Sequence, residues 1–266
     1  MRIVCCVKRD LLGNIALNRL AKHLERHELT FLLSDKVMPE ERTPGPPADQ
    51  LFFERDLPID HIFPALDACP KKDLPRRLTF DGLARKYSAT METIADINAP
   101  ETIRRLHDLE PDIMLSNRFD LIFRTEAINV PRLGLFNLHP GALPQYRGLY
   151  APFRALVNGE SRMGCTLHAI DPGIDTGPVM DIAWINADRS KSVFWHYVQL
   201  YMGGADIFAE LMTKLEDGQE IKATPQQEAE ATYYKYPSSE ELEAFRRAGG
   251  KLFDTLEYRE ILSTYR

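Results

Sequence analysis

The chain has 266 residues, 44% of them hydrophobic, with 33 Lys plus Arg against 39 Asp plus Glu and a formal net charge of −6. That supplies a sizeable core for one or two domains, and the acidic balance argues against a general nucleic-acid surface. No apolar run of about 18 residues suggests a membrane span, and Cys5, Cys6, Cys69 and Cys165 lack the C-x-x-C spacing of a zinc site, a pattern expected of a reduced cytoplasmic protein.

Residues 3–7 read as a first buried strand, not a signal peptide, with Cys5 and Cys6 on opposite faces. Leu12, Ile15, Ala16, Leu20 and Leu24 recur at helical spacing within 11–26. Strands are expected at 29–33, 91–94, 112–116 and 134–138, and helices at 78–87 and 99–109, the latter opened by Pro100. Residues 39–75 are rich in proline and charge, densest at Pro44-Gly45-Pro46-Pro47. A structureless stretch that long is uncommon in a compact domain. Short helical pieces, such as 48–55, are therefore expected within an insertion or active-site lid at about 39–77; a surface loop without a role is the alternative.

Two strands, 163–170 and 178–186, flank the turn-rich residues 171–177. One long helix is expected over 190–215. Its Gly203-Gly204 pair signals close packing or a break. The polar tail has a short strand candidate at 232–237 and a capped helix opening at Ser238. Alternating strands and helices predict an α/β fold: a Rossmann-like, mostly parallel sheet with helices on both faces. The expected division is a catalytic domain at 1–189 and a small, mainly helical C-terminal extension at 190–266.

The chemistry concentrates in Asn137-Leu138-His139-Pro140-Gly141 and in Asp175 of His168-x6-Asp175-x-Gly177. Residues two apart on a strand share a face, so Asn137 and His139 can enter one pocket. An amide and an imidazole stabilise an oxyanion, and a carboxylate takes a proton, which suits acyl transfer without a covalent intermediate. Taken singly, Asn137 could bond a neighbouring backbone, His139 reads as a core histidine, and Asp175 as a turn former. The joint pattern favours catalysis. His168 reads mainly as packing, with a supporting role as the alternative, and Cys165 as a small buried residue.

Asn137-x-His139-Pro140-Gly141-x-Leu143-Pro144-x-Tyr146-Arg147-Gly148, then Gly164-Cys165-Thr166-x-His168 and Asp175-x-Gly177, resembles the formyltransferases that use N10-formyltetrahydrofolate. The resemblance is strong over roughly residues 110–186 and weaker upstream. It implies Asn137, His139 and Asp175 as catalytic residues and N10-formyltetrahydrofolate as co-substrate. It also implies that the segment after residue 117 and the Asp-containing loop hold the pterin, making Arg118, Phe119, Ile122, Ile170, Asp171 and Gly173 the binding candidates. Sheets of this class bind ligands beyond strand carboxyl ends, which makes Tyr146, Arg147, Gly148 and Tyr150 acceptor candidates; Arg147 either meets an anionic part of the acceptor or pairs with an acid.

Some family members carry a glycine-rich phosphate-binding turn after the first strand. Here Lys8-Arg9-Asp10-Leu11-Leu12-Gly13-Asn14 holds one glycine, which disfavours a nucleotide-sized phosphate substrate such as glycinamide ribonucleotide. About eighty residues follow Asn186, too few for the basic barrel of methionyl-tRNA enzymes. Thr232-Tyr233-Tyr234 is similar to a segment of sugar-amine formyltransferases. The expectation is formyl transfer to a small soluble amine, an amino sugar or an amino-acid-derived amine such as hydroxyornithine. No nucleic-acid, membrane or metal partner is expected; a homo-oligomer is allowed. The alternatives are a formyltetrahydrofolate hydrolase and a non-catalytic folate-binding protein. The hydrolases share the trio but usually carry an N-terminal regulatory domain, whereas this chain starts at its first strand. Loop residues carry no pattern that names the amine.

Overall fold

The computed structural model describes residues 1–69 and 76–265. Nine strands are present among them: β1 Arg2–Lys8, β2 Glu28–Ser34, β3 Thr90–Thr93, β4 Ile113–Asn117, β5 Gly134–His139, β6 Arg147–Gly148, β7 Arg162–Ala169, β8 Val179–Asn186 and β9 Tyr233–Tyr234. Seven form one sheet in the order β3-β2-β1-β4-β5-β7-β8, and β6 pairs with β9 separately. β1 to β5 run parallel, while β7 and β8 are antiparallel additions at one edge. The helices are α1 Leu11–His23, α2 Pro46–Leu51, α3 Phe63–Ala68, α4 Phe80–Tyr87, α5 Pro100–Leu109, α6 Thr125–Ile128, α7 Ala151–Val157, α8 Val193–Glu216, α9 Ser239–Arg247 and α10 Thr255–Ser263.

Both faces of the parallel sheet are covered, as its apolar strands require. Alternation along β1 sends Ile3, Cys5 and Val7 into the larger cluster, with α1 and α8. Val4 and Cys6 enter the smaller one with Ile103 and Leu106 of α5. Cys5 and Cys6 thus face opposite ways. Gly203-Gly204 marks close packing, and α8 runs through it unbroken. A Cβ at Gly204 would lie 2.6 Å from Cys165 Sγ, and one at Gly203 3.1 Å from Ala183 Cβ.

The proline-rich segment is more helical than the short piece expected at 48–55. A 3-10 turn (Pro39–Arg42), α2, two π-type stretches (Phe52–Asp56 and Pro58–Ile62) and α3 nearly fill residues 39–68. Pro39, Pro46 and Pro47 fall in first turns, where a missing N–H costs little, whereas Pro58 and Pro64 lie within a continuous helical run over 46–68, at or just beyond its π-type stretches. Ile59 and Phe63 anchor the segment in the larger core. Residues 70–75, part of the expected insertion, lie outside the described residues.

The tail folds back onto the first half. Tyr265 is fully buried, and its hydroxyl donates to Asn14 Oδ1 of α1 at 2.6 Å. The Phe53 and Phe253 rings stack 4.3 Å apart. Residues 190–265 therefore share one core with the described part of residues 1–189.

Candidate active site

A cavity of about 410 Å³ opens where β1, β4 and β5 end. Its lining includes Asn137, His139 and Asp175, so the structure brings together the three residues that the sequence singled out. Asn137 and His139 occupy one face of β5, two residues apart, as strand alternation dictates. Asp175 arrives differently. Because β7 is antiparallel, it exits at Ala169, beside Phe136 and away from the end of β5. The loop to β8 then doubles back. Asp175, in left-handed conformation at φ 55°, places Oδ2 3.5 Å from His139 Nδ1. The same Oδ2 accepts the Gly148 N–H at 2.8 Å.

The hydrogen bonds around the trio fix proton positions. His139 Nε2 lies 2.6 Å from the Tyr146 carbonyl, which can only accept. Nε2 therefore carries a proton, and Nδ1 is the atom presented to Asp175. Gly141 makes this contact possible: a Cβ there would sit 2.6 Å from His139 Nε2 and 2.7 Å from the Tyr146 carbonyl oxygen. His168 lies opposite Asn137 across the β5–β7 pair. Its Nδ1 donates to the Ala169 carbonyl at 2.8 Å, leaving Nε2 to accept from Asn137 Nδ2 at 3.2 Å. Burial pushes the His168 imidazole down to about 4, against the opposing pull of Asp175, so it is neutral at pH 7.

The other candidates divide. Phe119 and Ile122 form one wall, and Ile170, Asp171 and Gly173 another, all lining the cavity. Together they make a slot with apolar sides and accessible backbone. Arg118 also lines the cavity, but its guanidinium is committed elsewhere, to Asp10 Oδ2 at 2.6 Å and to Glu54. Gly148 and Tyr150 reach the cavity, whereas Tyr146 and Arg147 do not line it. The Tyr146 ring stacks on Tyr234 and its hydroxyl donates to Glu160 at 2.7 Å. Arg147 turns away to Gln226 and Glu228, because its alternation on β6 opposes that of Gly148.

Sequence reasoning did not anticipate the inner end of the cavity. Lys8, only 3% exposed, pairs with Glu41 at 2.8 Å and Asp120 at 2.6 Å. Burial opposes its charge, but the two carboxylates prevail and raise its pKa. Arg118 is likewise held between Asp10 and Glu54, whose own pKa burial raises despite the arginine. Asp10 Oδ1 caps α1 by accepting the Gly13 N–H at 2.7 Å. A carboxylate thus occupies the helix N-terminus where some sheets of this type hold phosphate. Tyr197, Tyr201 and Tyr236 complete this end. Charged residues directly after β1 were the available signal for the cluster; the tyrosines lie on α8 and in the tail, where nothing in the sequence marked them.

A doubly wound α/β sheet with an amide, an imidazole and a carboxylate gathered at one strand end defines the class of protein. Residues 81–193 match the formyl transferase family model. It is 32% identical over 151 residues to a methionyl-tRNA formyltransferase of Kosmotoga olearia, covering 57% of this chain and 48% of the relative. A methionyl-tRNA formyltransferase of Chloroflexus aggregans is 31% identical over 150 residues, covering 56% and 47%. The chain thus spans about half the length of these relatives. Among solved structures, a sugar 3N-formyl transferase determined in the presence of dTDP and 5-N-formyl-THF superposes with a TM-score of 0.57 at 19% identity, over 88% of this chain and 68% of that one. Glycinamide ribonucleotide transformylase 1 from Symbiobacterium toebii gives 0.57 at 15% identity, over 85% and 94%. At those identities the superpositions show the shared fold.

Proposed function

We propose that this protein transfers a formyl group from N10-formyltetrahydrofolate to the amine of a small acceptor. The observation that carries the proposal is the convergence of Asn137, His139 and Asp175 on one wall of a single cavity. Asn137 donates one Nδ2 proton to His168 and keeps the other for the formyl oxygen as that oxygen gains charge. His139, protonated at Nδ1, donates to the same oxygen and then gives its proton to the leaving nitrogen. Asp175 accepts the proton of the attacking amine. The slot between residues 119–122 and 170–173 fits a flat pterin by its apolar walls and backbone donors and acceptors.

For the acceptor, the inner end of the cavity supports a non-phosphorylated, hydroxylated amine, such as an amino sugar or an amino-acid-derived amine. Lys8 and Arg118 each already face two carboxylates, and Asp10 closes the α1 N-terminus. An added phosphate would meet acids there. The tyrosine hydroxyls suit a polyol. Release of tetrahydrofolate with a panel of amines, with charged initiator tRNA, and with water alone tests the proposal. Amine-dependent release supports transfer; equal release without any amine would mean hydrolysis.

A further inference from the structure

We propose that Gln226, far from the family motif in sequence, is a positioning residue for Asp175, and that Arg147 serves the same seat by orienting Gln226. The inference rests on the role of Asp175 in formyl transfer proposed above. Gln226 Nε2 donates to the Asp175 carbonyl at 2.8 Å and to the Gly177 carbonyl at 2.7 Å. Its Oε1 accepts from Arg147 Nε at 3.1 Å and Nη2 at 2.9 Å. A guanidinium only donates and a backbone carbonyl only accepts, so the amide has one possible orientation.

The geometry addresses a specific need. Asp175 is a non-glycine residue at φ 55°, a conformation costing on the order of 1–3 kcal/mol that persists only where the surroundings over-determine it. Gln226 grips the backbone on both sides of Thr176, and the Gly148 N–H holds the Asp175 carboxylate from the front at 2.8 Å. Arg147 and Gly148 are adjacent on β6, so one dipeptide serves the seat from both sides.

Attachment of the tail does not depend on this amide. Thr224 and Val179 exchange two backbone hydrogen bonds at 2.8 Å. Thr232 N–H donates to the Pro144 carbonyl at 3.2 Å, and β9 pairs with β6. The strap is thus fastened before and after Gln226, which leaves the glutamine amide free to set the position of Asp175.

The test replaces the two donors at nearly constant shape with Gln226→Glu. The expected result is a fall in kcat of about tenfold or more, with the Kd for 5-formyltetrahydrofolate changing less than about threefold. Arg147→Ala should lower kcat similarly, and the double variant should be no slower than the slower single, because both act through one seat. If Gln226→Glu does not fold, Gln226→Leu keeps the volume and also removes the donors. Unchanged kcat, additive losses in the double variant, or a donor Kd that rises by the same factor as kcat falls would overturn the proposal. Asp175→Asn is measured alongside. If it is inactive while Gln226→Glu is fully active, only the positioning role fails; if Asp175→Asn is itself fully active, both the role and the formyl-transfer assignment fail.

Discussion

His168 determines which way the Asn137 amide faces. The Ala169 carbonyl takes the His168 Nδ1 proton, so Nε2 must accept, and it takes one Nδ2 proton of Asn137 at 3.2 Å. The Asn137 nitrogen is thereby turned so that its second proton remains for a ligand. A buried imidazole serves this purpose while it stays neutral.

The first prediction follows from that neutrality. The folded pKa of His168 is lowered to about 4 by burial, against about 6.5 for a free histidine. Between those values the unfolded chain binds more protons, so stability rises with pH across the window and is lost as pH falls through it. The expected loss is on the order of 1–3 kcal/mol, and His168→Gln should flatten it. Denaturant titrations of both proteins between about pH 6.5 and 4 check this. Parallel curves would remove His168 as the source.

The trio gives the second prediction. Asn137→Ala, His139→Ala and Asp175→Ala should each lower formyl transfer by on the order of a hundredfold or more. Circular dichroism should remain native, since Asn137 and Asp175 lie at the cavity wall rather than in either core cluster. Near-normal turnover by His139→Ala would rule out the proposed proton path.

Much of this arrangement was legible in the sequence because its physics is local. Strand alternation put Asn137 and His139 on one face, and the helical spacing of Leu12, Ile15 and Leu20 marked α1. Ser238 caps a helix as its sequence suggests, and the structure completes the cap as a capping box with Glu241. What stayed hidden depended on contacts between distant segments. Arg147 reads either as an acceptor contact or as the partner of an acid; the second holds, but the partners, Gln226 and Glu228, are about eighty residues further on and could not be named from sequence. The helical run in 39–68 is longer than the short pieces expected because its prolines read as breakers, whereas Pro46 and Pro47 open it and Pro58 and Pro64 are accommodated at or just beyond its π-type stretches. Gln226 carried no pattern at all.

Gly141 supplies a third prediction. A methyl group at this position would press on His139 Nε2 and the Tyr146 carbonyl, both below 3 Å. Neither can yield without breaking the hydrogen bond between them. Gly141→Ala should destabilise the protein by about 1–3 kcal/mol and reduce kcat far more than donor affinity. Thermal melts and single-turnover assays read the two effects separately. Unaltered kcat would mean that the His139–Tyr146 contact is dispensable.

Arg118 supplies a fourth. It sits between Asp10 and Glu54, and removing it leaves two buried carboxylates facing each other. Arg118→Met should cost about 3–5 kcal/mol. The control is Arg132→Met, whose partner Asp112 lies under an arginine that is 66% exposed; an exposed pair is worth about 0–1 kcal/mol. Equal losses in the two variants would show that the inner cluster is not a stability determinant. A second arm combines Arg118→Met with Glu54→Gln, which should recover part of the loss because one uncompensated charge is removed.

The last prediction concerns the acceptor, where the named relatives and the cavity point different ways. The relatives are called methionyl-tRNA formyltransferases, but this chain spans only about half of their length. At the inner end of its cavity Lys8 and Arg118 each face two carboxylates, Lys36 donates to the Asp120 backbone carbonyl at 3.0 Å, and the formal net charge is −6. Binding a tRNA through its phosphates releases counterions, so affinity would fall by about 10³–10⁵ between roughly 50 and 200 mM salt for six to ten contacts. A small neutral or cationic amine has no such dependence. For the best amine of the panel, kcat/KM should therefore change only a few fold across that range. Phosphorylating the same amine next to its reacting nitrogen should weaken it strongly, because the phosphate would displace Asp10 from the α1 N-terminus or face Glu41 and Asp120. Efficient formylation of charged initiator tRNA with a steep salt dependence would reverse this assignment while leaving the Asn137–His139–Asp175 chemistry in place.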